Sequence, residues 1–450
     1  MKLVKMSLAA AVLLGASAFA IDNVKVNGDA KLFYSTNDGV DILKGTQGDL
    51  FDQGTSAADT ALRLGVTADL VKGVSMGATA YAVSTLGLEN NLVANTWTGA
   101  HNANNGVDDE AWIGELWLAA TMGKTTAKVG RMELDTPLAF SEKWSIVPNT
   151  FDAAVLINQD IPDTTLVGAW VGKGNGFNHG FGLDVDGDGD AFGYDNAADV
   201  GIDGLMGKGA KFGTFADGGA YALALVNNSF KPLTAQAWYY NVSNVADAYW
   251  LQADVACQLV KGLSIGAQYA NIDPKGEVDN ITSFYGAGKA KDSDAYALKL
   301  AYEGVQNLKV SAAYSDVDED GVLNIANTAT NNLVAAQSKL YTEAWWNYGY
   351  VGAPGAESVN VTAEYDAGVA KVGAYYTDVS VRNASNAVVA VLNGLGASRA
   401  DGTDMTEVAV TVSKDFGPLN ATLAYVSTDA DDQNAGDQYN TVQAYLTLNF

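Results

Sequence analysis

Residues 438–450 read QYNTVQAYLTLNF. Val442, Ala444, Leu446, Leu448 and Phe450 fall on one side of an extended chain, with Thr441, Gln443, Thr447 and Asn449 on the other. Side chains of a strand point alternately to opposite faces, so this stretch is a strand with one apolar and one polar face. The pattern recurs along the chain. Val24, Val26, Ala30, Leu32 and Tyr34 stand opposite Lys25, Asn27, Asp29 and Lys31, and Leu62, Leu64, Val66 and Ala68 stand opposite Arg63, Thr67 and Asp69. Residues 249–259 repeat it, and convincing windows of helical period are absent.

A soluble β-sandwich alternates as well, so the connections decide. Short ones, such as 70–74, 122–125, 260–263 and 415–419, alternate with long ones rich in Gly, Asn and Asp, such as 35–59, 85–110, 134–150, 174–218 and 317–356. Tight turns at one end and long loops at the other describe an all-β, transmembrane antiparallel β-barrel of about 18 strands (16–20). Segments 208–215 and 338–351 either add one more hairpin or fold within loops. Trp112, Tyr249, Tyr269, Tyr302, Tyr314, Tyr365, Tyr376 and Tyr425 fall on the apolar face, where interfacial girdles belong. A barrel this wide encloses water rather than a side-chain core. A polar lumen and an apolar outer face average to the observed mean hydropathy of +0.01.

Composition narrows the function. The 450 residues carry 26 Lys plus Arg against 52 Asp plus Glu, a formal charge of −26, which argues against nucleic acid as a partner. One Cys excludes a disulfide framework, and two His leave few general bases or transition-metal ligands. His101 and His179 sit in expected external loops with no motif around them, so no enzyme is expected. Residues 1–20, MKLVKMSLAAAVLLGASAFA, read as a cleaved secretory signal peptide: basic Lys2 and Lys5, an apolar run, then Ala18-Phe19-Ala20. Its removal takes two lysines, leaving 24 − 52 = −28 on residues 21–450, the single barrel domain. No apolar run long enough for a helical span follows.

Three blocks carry a family resemblance: the start MKLVKMSLAAA, GRMELDTPLAFSEKWSIVPNTFDAAVLINQDIPDTTLVGAWVGKG at 130–174, and AWYYNVSNVADAYWLQADV at 237–255. They resemble the Opr family of outer-membrane porins, including the major outer-membrane proteins of Campylobacter relatives. The terminal strand ending in Phe450 is similar to the assembly signal of outer-membrane barrels generally. The resemblance implies a bacterial outer-membrane location, an 18-stranded barrel often packed as a homotrimer, and a third external loop folded into the lumen as a constriction.

Here that loop is 134–150, stiffened by Pro137 and Pro148. Its charges are Asp135, Glu142 and Lys143, with Glu133 and Asp152 at the flanking strand ends. Parity places Lys31, Arg63, Lys128, Lys299, Lys309 and Lys371 on the lumen wall, with the acids Asp29, Asp69, Glu115, Asp254, Glu364 and Glu407. Loop acids opposite wall bases would create a transverse field at the eyelet. Family members often carry an arginine ladder, whereas this chain has only Arg63, Arg131, Arg382 and Arg399. Mild cation selectivity is the resulting expectation.

One further motif is DVDGDGD at 184–190. Asp184, Asp186 and Asp188 followed by Gly189 match the front of an EF-hand loop, with Asp190 beside them and Asp195 at the twelfth position in place of the usual Glu. A Ca²⁺ site on an external loop is the expectation there, and no other cofactor is implied. The leading function is passive diffusion of ions and small hydrophilic solutes across an outer membrane. The alternative is a calcium-binding surface structural or adhesion barrel with a plugged or narrow pore.

Overall fold

Nineteen strands hydrogen-bond into one sheet. Eighteen of them form the wall, in sequence order and antiparallel throughout: β1 Asp22–Asn37, β2 Ser56–Val71, β3 Val74–Ser84, β4 Glu110–Met122, β5 Thr125–Met132, β6 Phe151–Asn158, β7 Thr164–Gly176, β8 Ala220–Asn227, β9 Leu233–Val242, β10 Ala246–Ala256, β11 Leu263–Pro274, β12 Ser293–Val305, β13 Leu308–Val317, β14 Ala356–Asp366, β15 Lys371–Val381, β16 Asp404–Phe416, β17 Leu419–Ala430 and β18 Tyr439–Asn449. The wall closes because β1 pairs with β2 along one edge and with β18 along the other, Leu32 lying against both Thr60 and Leu446. Closure leaves no unpaired sheet edge, the condition for a barrel to sit in hydrocarbon.

The computed structural model describes residues 21–96, 109–144, 146–176, 182–183, 200–201, 208–214, 218–276, 278–279, 289–329, 336–382, 399 and 401–450. The signal segment, both histidines and the acidic run Asp184 to Asp195 lie outside them.

Turn chemistry fixes the short-turn end. Gly73 closes the β2–β3 hairpin at φ +79°, a left-handed conformation that a side chain would strain, and Asn307 does the same for β12–β13 at φ 63°. The nineteenth strand, Lys208–Thr214, pairs with the upper end of β7, where Thr214 lies opposite Lys173. It belongs to the fourth loop rather than to a further wall hairpin. Two connections at the long-loop end are short: residues 243–245 and 431–438.

Alternation decides the two faces. Leu298, Leu300, Val359, Val361, Val408 and Val410 point outward and are 41–57 % exposed. Trp112 departs from the sequence reading: it is 9 % exposed and packs edge-on against Tyr81 at 5.7 Å, on the inner face. The cause is a bulge in β4. Thr79 faces Glu115 and Ala80 faces Ile113, so Gly114 is skipped and the parity of the strand reverses. Trp112 and Trp117 therefore both point inward although five positions apart. Segment 338–351 adds no hairpin to the wall; it folds into the lumen.

Candidate constriction site

Side chains of an 18-stranded wall cannot fill the interior. Among the described residues, loops 133–150 and 318–355 fold into it. The third loop, 133–150, rises from the short strands β5 and β6. Ser141 N–H donates to the Leu134 carbonyl at 2.8 Å, Thr136 Oγ1 donates to the Ala139 carbonyl at 2.7 Å, and Asp135 bridges to Phe140, which makes its first half a compact hairpin. Ile146 and Val147, 4 % and 3 % exposed, dock with Phe33, Tyr81 and Trp112 on the wall. Burial on that scale stabilises by about 2 kcal/mol per side chain. The expectation that this loop folds into the lumen is met.

A second inward loop, 318–355, was not expected. It is held to the wall by side chains of three strands. Gln268 on β11 donates to the Lys339 carbonyl at 3.0 Å and accepts from Tyr341 N–H at 3.0 Å. Tyr341 Oη donates to Asp254 at 2.6 Å. Glu407 on β16, 1 % exposed, accepts from Trp346 N–H at 3.0 Å, Asn347 N–H at 2.7 Å and Asn347 Nδ2 at 2.9 Å. A buried carboxylate is tolerated when its oxygens collect several donors in this way. A signal for the loop exists in the sequence. Between Gly321 and Ala356 only Lys339 and Glu343 are charged, and AWWNYGY at 344–350 is more aromatic than a solvated loop requires.

The two loops meet at Asn327 and Glu142. Asn327, fully buried, donates from Nδ2 to the Phe140 carbonyl at 2.9 Å and to Glu142 Oε1 at 3.1 Å. Trp144 Nε1 donates to Glu142 Oε2 at 2.7 Å, and Trp144 lies 5.4 Å from Tyr348 and 6.4 Å from Trp346. Glu142 is thus an anchor between loops, 5 % exposed, rather than a charge facing a permeant. Glu343 lies close by with Oε1 buried, and burial, reinforced by the negative charge of Glu142, pushes its carboxyl up to about 8.

The charged residues fall into several separate groups. On the β1–β5 side, Arg63 binds Asp29 through Nε at 2.8 Å and Glu133 at 3.5 Å, and Lys143 binds Glu133 at 3.3 Å. Lys31 and Lys128 share the field of Glu133, Lys128 Nζ resting 4.2 Å from the Trp117 ring. Of the expected site charges, the structure brings together the strand-end acid Glu133, the wall base Arg63 and the loop base Lys143. The other wall bases lie elsewhere. Lys299 rests 4.0 Å from the Tyr341 ring, next to Asp254. Lys309 and Lys371 line a cavity of about 640 Å³ at the short-turn end with Glu364 and Tyr375, Lys309 pairing with Glu303 at 3.4 Å. Asp135 pairs with Lys339 of the second loop. Asp152 faces away from the lumen, because the buried Phe151 next to it points in, and it binds Arg131 at 2.8 and 3.1 Å. Among the described residues no cluster of three metal-ligating side chains occurs.

No family model and no curated protein matches the chain. Solved structures do. The outer-membrane protein OpdK of Pseudomonas aeruginosa superposes with a TM-score of 0.68 at 12 % identity, over 95 % of this chain and 99 % of that one. A BenF-like porin from Pseudomonas fluorescens gives 0.68 at 12 % over the same shares, and OccK8 (OprE) of P. aeruginosa gives 0.66 at 14 %. These neighbours support the porin part of the resemblance drawn from the sequence; its Campylobacter part finds no support in them. With its closed wall and inward loops, the chain has the barrel fold of outer-membrane porins.

Proposed function

We propose that this chain is a passive channel in a bacterial outer membrane, through which ions and small hydrophilic solutes diffuse past a charged constriction. The observation that carries the reading is a closed wall, apolar outside, whose lumen holds Arg63, Glu133 and Lys143 at the foot of an inward loop. Such an arrangement orients dipolar solutes without any chemistry, and no catalytic role is proposed. OpdK, the structural neighbour, has been crystallised with vanillate, in keeping with small-solute passage through this fold. Mild cation selectivity follows from the excess of 52 acids over 26 bases and from the pairing of Arg63 and Lys143 with acids. The reversal potential of the purified protein across a salt gradient tests it; preference for the anion would overturn the selectivity.

Lipid and small solutes are the partners, with self-association into a homotrimer; nucleic acid is not one. A second reading is favoured by the bond between the two inward loops at Asn327, which ties them together inside the wall. In that reading the barrel is a surface structural or adhesion protein with a plugged pore and Ca²⁺ on Asp184, Asp186, Asp188, Asp190 and Asp195. Barrels that are folded yet carry no current would favour it.

A further inference from the structure

Anchoring the second inward loop does not use up its aromatic segment, AWWNYGY at 344–350. Trp346 lies 6.4 Å from Trp144 of the third loop, Trp345 lies 6.4 Å from Trp346, and Tyr375 on β15 lies 6.2 Å from Trp345, centroid to centroid. Four rings thus follow one another at even intervals, from beside Lys143 in the third loop to the lumen wall. Tyr445 on β18 flanks the row edge-on, 6.4 Å from Trp345. Rings that only filled a core would be closed off from water, as Phe33 is beside Trp346 at 3 % exposure. Trp144, Trp345, Trp346, Tyr375 and Tyr445 all remain partly exposed inside the barrel.

The row ends at the cavity of about 640 Å³ at the short-turn end, which Tyr375 helps to line. Its size is that of a small-ligand site. Around Tyr375 the wall offers hydrogen-bonding groups. Tyr375 Oη donates to Glu364 at 2.9 Å, and Thr411 and Ser413 line the same cavity, Ser413 Oγ lying 2.7 Å from Thr422 Oγ1. The charges among the described lining residues are the acids Glu303, Glu364 and Asp366 against the bases Lys309 and Lys371. An excess of acid works against any anionic solute, a ring bearing a carboxylate included.

That combination selects for a solute that stacks, carries many hydroxyls and has no charge. The face of an indole or phenol ring is partially negative and attracts C–H groups. A pyranose ring presents a face of C–H bonds with hydroxyls around its rim, and carboxylate and hydroxyl side chains accept from those hydroxyls. We propose that the ring row and its cavity form a binding track for a neutral short oligosaccharide, stacked on Trp345 and Tyr375 and hydrogen-bonded to Glu364 and Thr411. The proposal deepens the reading of the chain as a passive channel, naming a solute class for it, and rests on that reading.

The test records single channels of the purified full-length chain in a planar bilayer while maltotriose is titrated. The expected result is concentration-dependent interruption of the current, with several-fold more maltotriose needed in Trp345→Ala and in Tyr375→Ala. Trp345→Phe and Tyr375→Phe, which keep a ring, should block near the wild-type concentration. Two separate positions keep the comparison open if one alanine variant fails to fold. Open channels that maltotriose does not interrupt, or interrupts equally in wild type and both alanine variants, would overturn the track and leave the channel intact. Equal interruption by a polyethylene glycol of the same mass, or interruption by benzoate alone, would overturn the sugar class. Folded barrels that never open would overturn the channel reading and the track with it.

Discussion

Asn327 of the second inward loop and Phe140 of the third loop exchange two hydrogen bonds: Phe140 N–H donates to Asn327 Oδ1 at 3.0 Å, and Asn327 Nδ2 donates to the Phe140 carbonyl at 2.9 Å. One amide side chain thereby pairs with a backbone segment as a neighbouring strand would. Residues 187 apart in sequence are joined by it, one from each inward loop. The two inward loops are therefore tied to each other as well as to the wall.

Replacing that amide tests the tie. Asn327→Ala leaves the Phe140 backbone groups and Glu142 short of buried partners, at a cost of about 1–3 kcal/mol. Single-channel recordings are expected to show noisier openings and a larger mean step than wild type. An unchanged step and noise level would mean that the two loops hold their places without it.

Arg63 holds the acid side of the constriction. Asp29, 6 % exposed, and Glu133 both bind it, so Arg63→Gln removes a positive charge and leaves two carboxylates under-paired. Reversal potential in a salt gradient should shift toward stronger cation preference, and thermal stability should fall by about 1–3 kcal/mol. A shift toward the anion would contradict the placement of Glu133 at the eyelet.

Glu343 predicts a pH dependence. Burial first, and the nearby charge of Glu142 second, raise its carboxyl from 4.5 to about 8 in the folded chain. Between these values the folded state holds a proton that the unfolded state has lost. Stability therefore falls as pH rises from about 4.5 to about 8 and then levels off. Unfolding midpoints of wild type and Glu343→Gln, compared across that range, should show a flatter profile for the variant; identical slopes would assign the effect to other groups.

The acidic loop predicts a response to calcium. Chelation should lower the unfolding midpoint of wild type and leave Asp186→Ala/Asp188→Ala unaffected, since the ion stabilises only the state that binds it. A chelator effect of equal size in both proteins would place the ion elsewhere, and no effect in either would remove it.

The wall was legible because period-two alternation is a local property: Leu62, Leu64, Arg63 and Lys31 face where their positions in the sequence put them. Two features were not legible. Trp112 changes face because of a bulge at Gly114, and a bulge depends on the partner strand as well as on its own residues. The path of the second inward loop depends on Gln268, Glu407 and Asn327, which meet only after the barrel closes. Glu142 illustrates the same limit. Its place in the third loop was evident, but its burial against Asn327 turned an expected eyelet charge into an anchor.

Single-channel conductance in a planar bilayer tests the central claim most directly, comparing the full chain with a variant lacking residues 139–145. Steady stepwise openings are predicted for the full chain, with a larger step for the variant, because the deletion removes both the third loop's inward tip and its hold on the second loop. Folded barrels that pass no current, or a step unchanged by the deletion, would contradict the account of a passive channel narrowed by these loops.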